Sequence, residues 1–196
     1  MSIVCSSFPK YQDNLIAMPE NIKSIEDQIK QDLRSVSKIK IEQWRNKAIA
    51  DQAYFEAAIH IGLTNEKPYC WRCSWIIFKV AEKESSRILP FVDQIIDALG
   101  NFKYDSQIAG FLKTLCFVND FKEEQFGILT DYCIKIIYDT QRTSHNKYYA
   151  IQLLFKIAKK YPELAREFAL VIEANLPYFS KPYLKKFGKV MINKLI

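Results

Sequence analysis

Residues 68–84 read Pro-Tyr-Cys-Trp-Arg-Cys-Ser-Trp-Ile-Ile-Phe-Lys-Val-Ala-Glu-Lys-Glu. Their apolar side chains occupy more than one stripe of a helix. Trp71, Trp75 and Phe78 recur at i, i+4 and i+7, while isoleucine, valine and alanine fill most of the remaining circumference. A helix that is apolar nearly all round must be covered by other elements on several sides. We therefore predict a central helix here, with Trp75 and Phe78 almost fully buried.

The rest of the chain follows the same helical period. Apolar residues spaced by three or four predict helices over about 20–35, 38–61, 86–99, 105–118, 122–139, 144–161, 162–176 and 180–195. The pattern leaves open whether 38–61 is one helix or two, the second capped by Asp51. In the last helix the residues expected to face inward are Leu184, Phe187, Val190, Met191 and Leu195. Five glycines and no Asn-Gly or Asp-Gly pair argue against strands, so the sequence predicts an all-α protein.

Length and composition favour one folded domain. The chain has 196 residues, of which 49% are apolar, which suits a single core or a short repeat array. Residues 1–18 have scattered apolar groups without a period, so we expect an N-terminal arm, laid on the first helices or partly disordered. The helical domain then spans residues 19–196.

Several features indicate a reduced, cytoplasmic protein. The N-terminal residues have no basic region followed by an apolar core, so we expect no signal peptide. No apolar run approaches the roughly 20 residues of a membrane span. The five cysteines are an odd number without the spacing of a disulfide framework.

The chain also resembles itself. Lys79-Val80-Ala81-Glu82-Lys83 aligns with Lys156-Ile157-Ala158-Lys159-Lys160, 77 residues later. At the same offset, Phe91, Ile95 and Leu99 align with Phe168, Ile172 and Leu176. The residues between the two copies leave room for a third, which gives a two-helix unit of about 38 residues, within the range of helical solenoids.

The segments WRCSWIIFKVAEKESSRILPFVDQIIDAL and YYAIQLLFKIAKKYPELAREFALVIEANLPY resemble HEAT/armadillo-type repeats, and among them small bacterial HEAT-like proteins of uncharacterised function. The resemblance covers roughly residues 40–196. It implies an α-α superhelix of about 8–10 helices in antiparallel pairs. It does not imply an activity, because unrelated proteins share such repeats.

The residues with reactive side chains do not form a recognisable catalytic or metal-binding set. Cys70 and Cys73 form a CxxC pair, but zinc needs two further ligands at suitable spacing, so core packing is favoured for these cysteines. His60 follows Glu56 by four residues and could meet it on one helix face. His145 is expected at a helix start, in a surface or capping role.

One acidic pair and one aromatic cluster also have simple structural interpretations. Asp93 and Asp97 are expected to form a solvated ridge rather than a metal site. Some HEAT-like proteins are DNA glycosylases that use aromatic and acidic residues on a basic surface. The Trp71, Arg72 and Trp75 cluster lacks an acidic residue nearby, because no Asp or Glu occurs between residues 67 and 81, so that role is not carried over.

Positive charge is concentrated at the C-terminal end of the chain. Residues 1–139 contain 17 Lys and Arg against 19 Asp and Glu, whereas residues 140–196 contain 11 against 3. The residues expected to form a shared basic surface are Lys156, Lys159, Lys160, Arg166, Lys181, Lys185, Lys186 and Lys189. The favoured interpretation of such a surface is a solubilising end of a repeat array, and the alternative is a binding site for nucleic acid or an acidic protein.

The leading functional hypothesis is therefore a non-enzymatic repeat scaffold that binds another macromolecule, a protein partner being favoured. The alternative is a nucleic-acid-binding or DNA-repair-related protein that uses the basic C-terminal surface. A cysteine-based metal or redox protein is disfavoured by the missing ligands. No cofactor and no membrane segment are expected.

Overall fold

The computed structural model describes residues 20–119 and 121–196, and the predicted arm over residues 1–18 lies outside this part. All regular secondary structure in the described residues is helical, which confirms the all-α prediction. This part of the chain contains ten α-helices: α1 (Glu20–Asp32), α2 (Lys38–Ala50), α3 (Gln52–Leu63), α4 (Tyr69–Lys83), α5 (Val92–Ala98), α6 (Asp105–Cys116), α7 (Glu123–Tyr138), α8 (Ser144–Lys160), α9 (Ala165–Asn175) and α10 (Pro182–Leu195). Short 3-10 segments are found at Ser85–Phe91, Leu99–Asn101, Pro162–Leu164 and Leu176–Tyr178.

The helices form two layers. The even-numbered helices α2, α4, α6, α8 and α10 pack side by side in chain order and form the even layer. The odd-numbered helices form the odd layer behind them, in which α1 packs on α3, and α7 on α5 and α9. The even helices begin at residues 38, 69, 105, 144 and 182, so the last three repeats are 36, 39 and 38 residues long. This spacing confirms the two-helix unit of about 38 residues.

Helix α4 is central, as the sequence predicts, but one of its faces is open. It packs against α2, α3 and α6, which cover Cys73, Ile77 and Val80 completely. Trp75, however, is 39% exposed, and Phe78 is half-buried. The prediction that both would be almost fully buried is therefore wrong. The tryptophan and phenylalanine stripe is the side of α4 that no neighbouring helix covers.

The last helix shows a similar departure. Leu184 is fully buried, and Phe187 and Met191 are half-buried against the core, but Val190 is 42% exposed. Helix α10 packs on α8 and α9, and within the described residues this packing leaves the side that carries Val190 open.

Two local features of the sequence decide where helices break. Residues 38–61 form two helices, because Asp51 is extended (φ −138°, ψ 127°) and its carboxylate accepts a hydrogen bond from the Ala53 amide at 2.9 Å. The helix predicted after Ser85 and Ser86 begins instead as a 3-10 segment and becomes α-helical at Val92. Pro90 explains the delay, since it lacks an amide donor and restricts the residue before it.

Long side chains from the even helices connect one helix end to another. Arg72, near the start of α4, donates hydrogen bonds to the carbonyls of Leu33 and Arg34, just past the end of α1. Two further side chains at similar places in α6 and α8 do the same: Gln107 donates to Gly62 and Thr64, and Lys147 to Ile137. Each satisfies carbonyls that a helix end leaves without an intrahelical donor.

Helices α4 and α6 approach each other closely at Gly110. A methyl group added at Gly110 would lie 2.2 Å from the Ser74 hydroxyl oxygen and 2.7 Å from its Cβ. Ser74 is itself fully buried, so neither side chain has room to move away. The absence of a side chain at residue 110 therefore sets the distance between the two central even helices.

This contact predicts opposite effects for two identical substitutions. Gly110→Ala should lower the free energy of unfolding by about 1–3 kcal/mol through overpacking against Ser74. Gly127→Ala is the matched control: it is also in a helix, but nothing lies within 4 Å of its added methyl group. There the change should raise stability by about 0.5–1 kcal/mol through helix propensity. Urea denaturation measures both, and equal effects would show that the α4–α6 contact is looser than described.

Candidate binding groove

The open face of the even layer carries a continuous set of rings, which we call the aromatic groove. Its members, none of them fully buried, are Trp71, Trp75, Phe78, Phe117, Tyr148, Tyr149 and Phe155. They come from α4, the end of α6, and α8. These helices pack side by side, so each contacts its neighbours through its flanks and keeps one face open. The sequence pattern places these residues on apolar stripes of their helices. It does not show that the stripes of different helices share one open face.

A hollow of about 310 Å³ lies at the middle of the groove. Trp75 and Phe78 form one wall and Tyr149 forms the other, while Ala109 and Gly110 of α6 lie between them. The hollow exists because α6 presents two small residues where its neighbours present rings.

Two further hollows adjoin the first. One of about 530 Å³ is lined by Trp71, Tyr104 and Arg142, and it shares Asp105 and Ser106 with the central hollow. The other, of about 560 Å³, lies between α6, α8 and α10; its lining includes Phe117, Tyr148, Phe155 and Met191. Lys113 and Tyr149 line both this hollow and the central one. The three hollows therefore form a row that follows α6 from its first residues to just past its last, bordered by α4 and α8 and reaching α10.

Asp105 brings a carboxylate into the groove beside Trp75. It accepts hydrogen bonds from Arg142 at 3.1 Å and from Asn146 at 2.8 Å, and Arg142 also binds Asp139 at 3.1 Å. The sequence pattern around the tryptophans does not indicate Asp105 as an acidic neighbour, because it is 30 residues beyond Trp75 and belongs to a different helix. The carboxylate is held by these bonds, which fix the start of α8 against α6.

Lysine side chains lie against several of the rings. The Lys113 ammonium is 3.9 Å from the centre of the Phe78 ring, and burial lowers the pKa of this lysine. Lys159 and Lys194 lie 5.0 Å and 6.0 Å from the Phe155 ring centre. Such cation–π contacts keep the charges close to the aromatic surface. The groove is therefore both aromatic and basic.

Charge is divided between the two layers. The odd helices contain four Lys and Arg against twelve Asp and Glu, a net charge of −8, whereas the even helices contain sixteen against three, a net charge of +13. Helices α8 and α10 have no acidic residue at all. The excess of positive charge at the C-terminal end is thus part of a wider difference in charge between the odd and the even helices, which begins at α1.

The predicted basic surface is divided by this arrangement. Helices α8 and α10 and the residue before α10 carry Lys156, Lys159, Lys160, Lys181, Lys185, Lys186 and Lys189, whereas Arg166 is on α9 in the odd layer. The Lys156 ammonium donates to the Cys116 carbonyl at 2.9 Å, to the Asn119 side chain at 3.0 Å and to the Val118 carbonyl. It therefore closes the end of α6, which is a structural contact.

Three of the four cysteines in the described residues are packed in the interior. Cys70, Cys73 and Cys133 are fully buried, and burial raises the pKa of each thiol. Cys116 is half-buried at the edge of the groove, and burial raises its pKa to about 12. Within residues 20–119 and 121–196, no group of three or more His, Cys, Asp and Glu residues is placed to hold a metal ion.

The remaining polar residues of interest make structural contacts. His60 bonds through Nδ1 to Glu26 of α1, and not to Glu56 as the spacing within its helix suggested. Asp93 is exposed and pairs with Lys122 at 2.6 Å, and this hydrogen bond lowers the pKa of its carboxyl group. His145 is exposed at the start of α8 and lines the central hollow.

Two layers of paired helices with an open groove on one layer define an α-α helical-repeat protein. A family model described as a HEAT repeat domain matches residues 26–195, and the chain belongs to this family. Comparisons with curated proteins and with solved structures gave no match. Within the described part of the chain, no helix combines the length and hydropathy that crossing a membrane requires.

The structural lysine and the groove lysines should differ in their effect on stability. Lys156→Met removes the donor to the carbonyl groups at the end of α6, so it should lower the free energy of unfolding by about 1–3 kcal/mol. Lys159→Met, one turn later on the same helix and exposed, should change stability by less than about 0.5 kcal/mol. Chemical denaturation measures both variants. An unchanged free energy of unfolding for Lys156→Met would contradict a structural role for Lys156.

The raised thiol pKa values predict slow labelling. In a Cys5→Ser background, native protein at pH 8 should react with a thiol reagent roughly 100- to 1,000-fold more slowly than unfolded protein, because the thiolate is the reactive species. Cys116, the half-buried one, should accelerate as pH rises toward its pKa of about 12. Rapid reaction of any cysteine in the native state at pH 8 would contradict the burial described above.

Proposed function

We propose that this protein is a non-enzymatic scaffold that binds another macromolecule along the aromatic groove. The observation that carries the proposal is the row of three hollows, lined by rings that remain partly exposed although they belong to the central helices of the fold. A folded protein gains by burying rings, at about 25 cal/mol per Å² of apolar surface. A contiguous exposed aromatic surface is typical of an interaction site.

The form of the groove supports an elongated partner. The hollows are open and arranged in a line along α6, an arrangement that suits an extended chain lying between α4 and α8. Repeat proteins commonly bind partners on an extended surface built by neighbouring repeats, and here α4, α6 and α8 of three successive repeats contribute to the lining. The proposed surface thus replaces the C-terminal lysine cluster with a groove that follows α6 in the middle of the array.

The polar groups around the groove favour binding over catalysis. Asp105 is occupied by Arg142 and Asn146, and the Cys116 thiol is protonated at neutral pH because of its raised pKa. A nucleophile with an adjacent base is the usual requirement for covalent catalysis, and the groove residues do not provide one in this arrangement.

The charge of the even layer favours a negatively charged partner. Complementary charge accelerates association and selects among partners. An acidic protein segment and a nucleic acid both meet this condition. The family generally mediates protein interactions, which supports the first, while the lysines that lie beside groove rings support the second.

The test compares partner capture by groove and non-groove variants. Trp75→Ala with Tyr149→Ala should weaken binding to a partner isolated from the native cell by about 10- to 100-fold, because aromatic groups dominate such interfaces. Leu170→Ala is the control, since Leu170 is 57% exposed on α9 in the odd layer. It should leave affinity unchanged. Equal affinity of the groove variant and wild type, with unchanged thermal melting, would overturn the proposal.

A further inference from the structure

The partner class can be argued from the chemistry of the groove, on the basis of the proposed function. We infer that the aromatic groove binds single-stranded nucleic acid, with bases stacked on its exposed rings and phosphates paired with the lysines of the even layer. The inference rests on three features: the sign of the charge, the lysines that lie beside groove rings, and the small number of side-chain amides that would pair with a peptide backbone.

The even layer has almost no free negative charge. Its three acidic residues are Glu42, Glu82 and Asp105. Glu82 pairs with Lys79 at 2.6 Å and is neutralised, whereas Asp105 shares Arg142 with Asp139, each at 3.1 Å, and is neutralised in part. A polyanion lying on this layer would meet little repulsion, and its phosphates would release counterions as they pair with lysines.

Lysines lie beside two of the groove rings, Lys113 beside Phe78, and Lys159 and Lys194 beside Phe155. A nucleic acid strand offers the matching pair of groups in each nucleotide, one planar base and one phosphate. Proteins that bind single strands combine a basic groove with aromatic platforms for this reason. Burial lowers the pKa of Lys113, and a neighbouring phosphate would counteract that effect.

A duplex uses this surface less well than a single strand. Inside a duplex each base is stacked on both faces, so rings such as Trp75 and Tyr149 would have no free base surface to contact. Only the lysines would contribute. A single strand can turn its bases toward the hollows and its phosphates toward the rims.

A peptide also fits less well. An extended peptide has an amide and a carbonyl in every residue that require hydrogen-bond partners. The helices of the even layer use their own backbone groups internally. The side-chain amides that line the three hollows are Gln141 and Gln152, and Gln152 already donates to the Tyr148 hydroxyl at 3.3 Å, so a peptide backbone would depend mainly on hydroxyl and charged groups. Nucleic acid backbones have no amide groups, so this scarcity does not disfavour them.

The experiment is a fluorescence-anisotropy titration of the full chain with labelled oligo(dT) and oligo(rU) of 15 nucleotides, from 25 to 200 mM KCl. Both should bind, with an affinity that falls steeply with salt, by about 0.7 in logarithmic slope for each phosphate neutralised. A 15-base-pair duplex should bind more weakly than the single strands at each salt concentration.

Two sets of variants separate the ring and charge contributions. Trp75→Ala with Tyr149→Ala should weaken single-strand binding at least 10-fold at every salt concentration while leaving the salt slope unchanged. Lys159→Gln with Lys194→Gln should reduce the slope by about 1.4. The control pair Lys23→Gln and Arg166→Gln removes the same charge from the odd helices α1 and α9 and should leave the slope unchanged. Thermal melting checks that each variant is folded.

The outcomes also distinguish this inference from the proposed function. Absence of oligonucleotide binding at 25 mM KCl overturns it, as does binding that is insensitive to the ring variants or is tighter for the duplex. A labelled 15-residue polyglutamate that binds through the groove, when oligonucleotides do not, would overturn the nucleic acid inference and leave the scaffold proposal intact. The scaffold proposal itself fails only if groove variants capture their cellular partner as well as wild type does.

Discussion

The fold depends on long side chains that supply hydrogen bonds to helix ends elsewhere in the array. Arg72, Gln107 and Lys147 occupy the first turns of α4, α6 and α8, and each donates to carbonyls at the end of an odd helix. A cation near the start of its own helix is opposed by the helix dipole, whereas the same cation at the end of another helix is favoured. Arg72 and Lys147 are therefore favoured by the dipoles of α1 and α7, the helices whose ends they cap. This explains how layers of short helices keep a fixed register without strands or disulfides in the described residues.

These contacts also divide the positive charges into two groups. Lys147 is buried against the Ile137 carbonyl, and Lys156 closes the end of α6, so neither is available to a partner. Lys159 on α8 and Lys186 and Lys189 on α10 are exposed. A count of lysines along the sequence gives both groups equal weight. Only the contacts show that part of the basic character stabilises the stack while the remainder is exposed to solvent.

The helical period was enough to predict the fold, but not the open face. Periodicity shows which residues share a stripe, and in α4 it correctly groups Trp71, Trp75 and Phe78. Which stripe stays uncovered depends on where α2, α3 and α6 pack, and this is a property of distant parts of the chain. For the same reason, the sequence alone does not predict that Asp105 lies beside Trp75. The difference in charge between alternate helices becomes visible only after helix boundaries are assigned, since a count over chain segments averages the two layers.

The close approach of α4 and α6 links stability to the groove. Gly110 lets Ser74 pack against the α6 backbone, and with Ala109 it also lines the central hollow between Trp75 and Tyr149. A larger residue at this place would separate the helices and fill the space between the rings at the same time. The depth of the groove is thus a consequence of how tightly the central repeats stack. Selection for close packing at this contact and selection for a binding surface act on the same few atoms, so a substitution there changes both properties together.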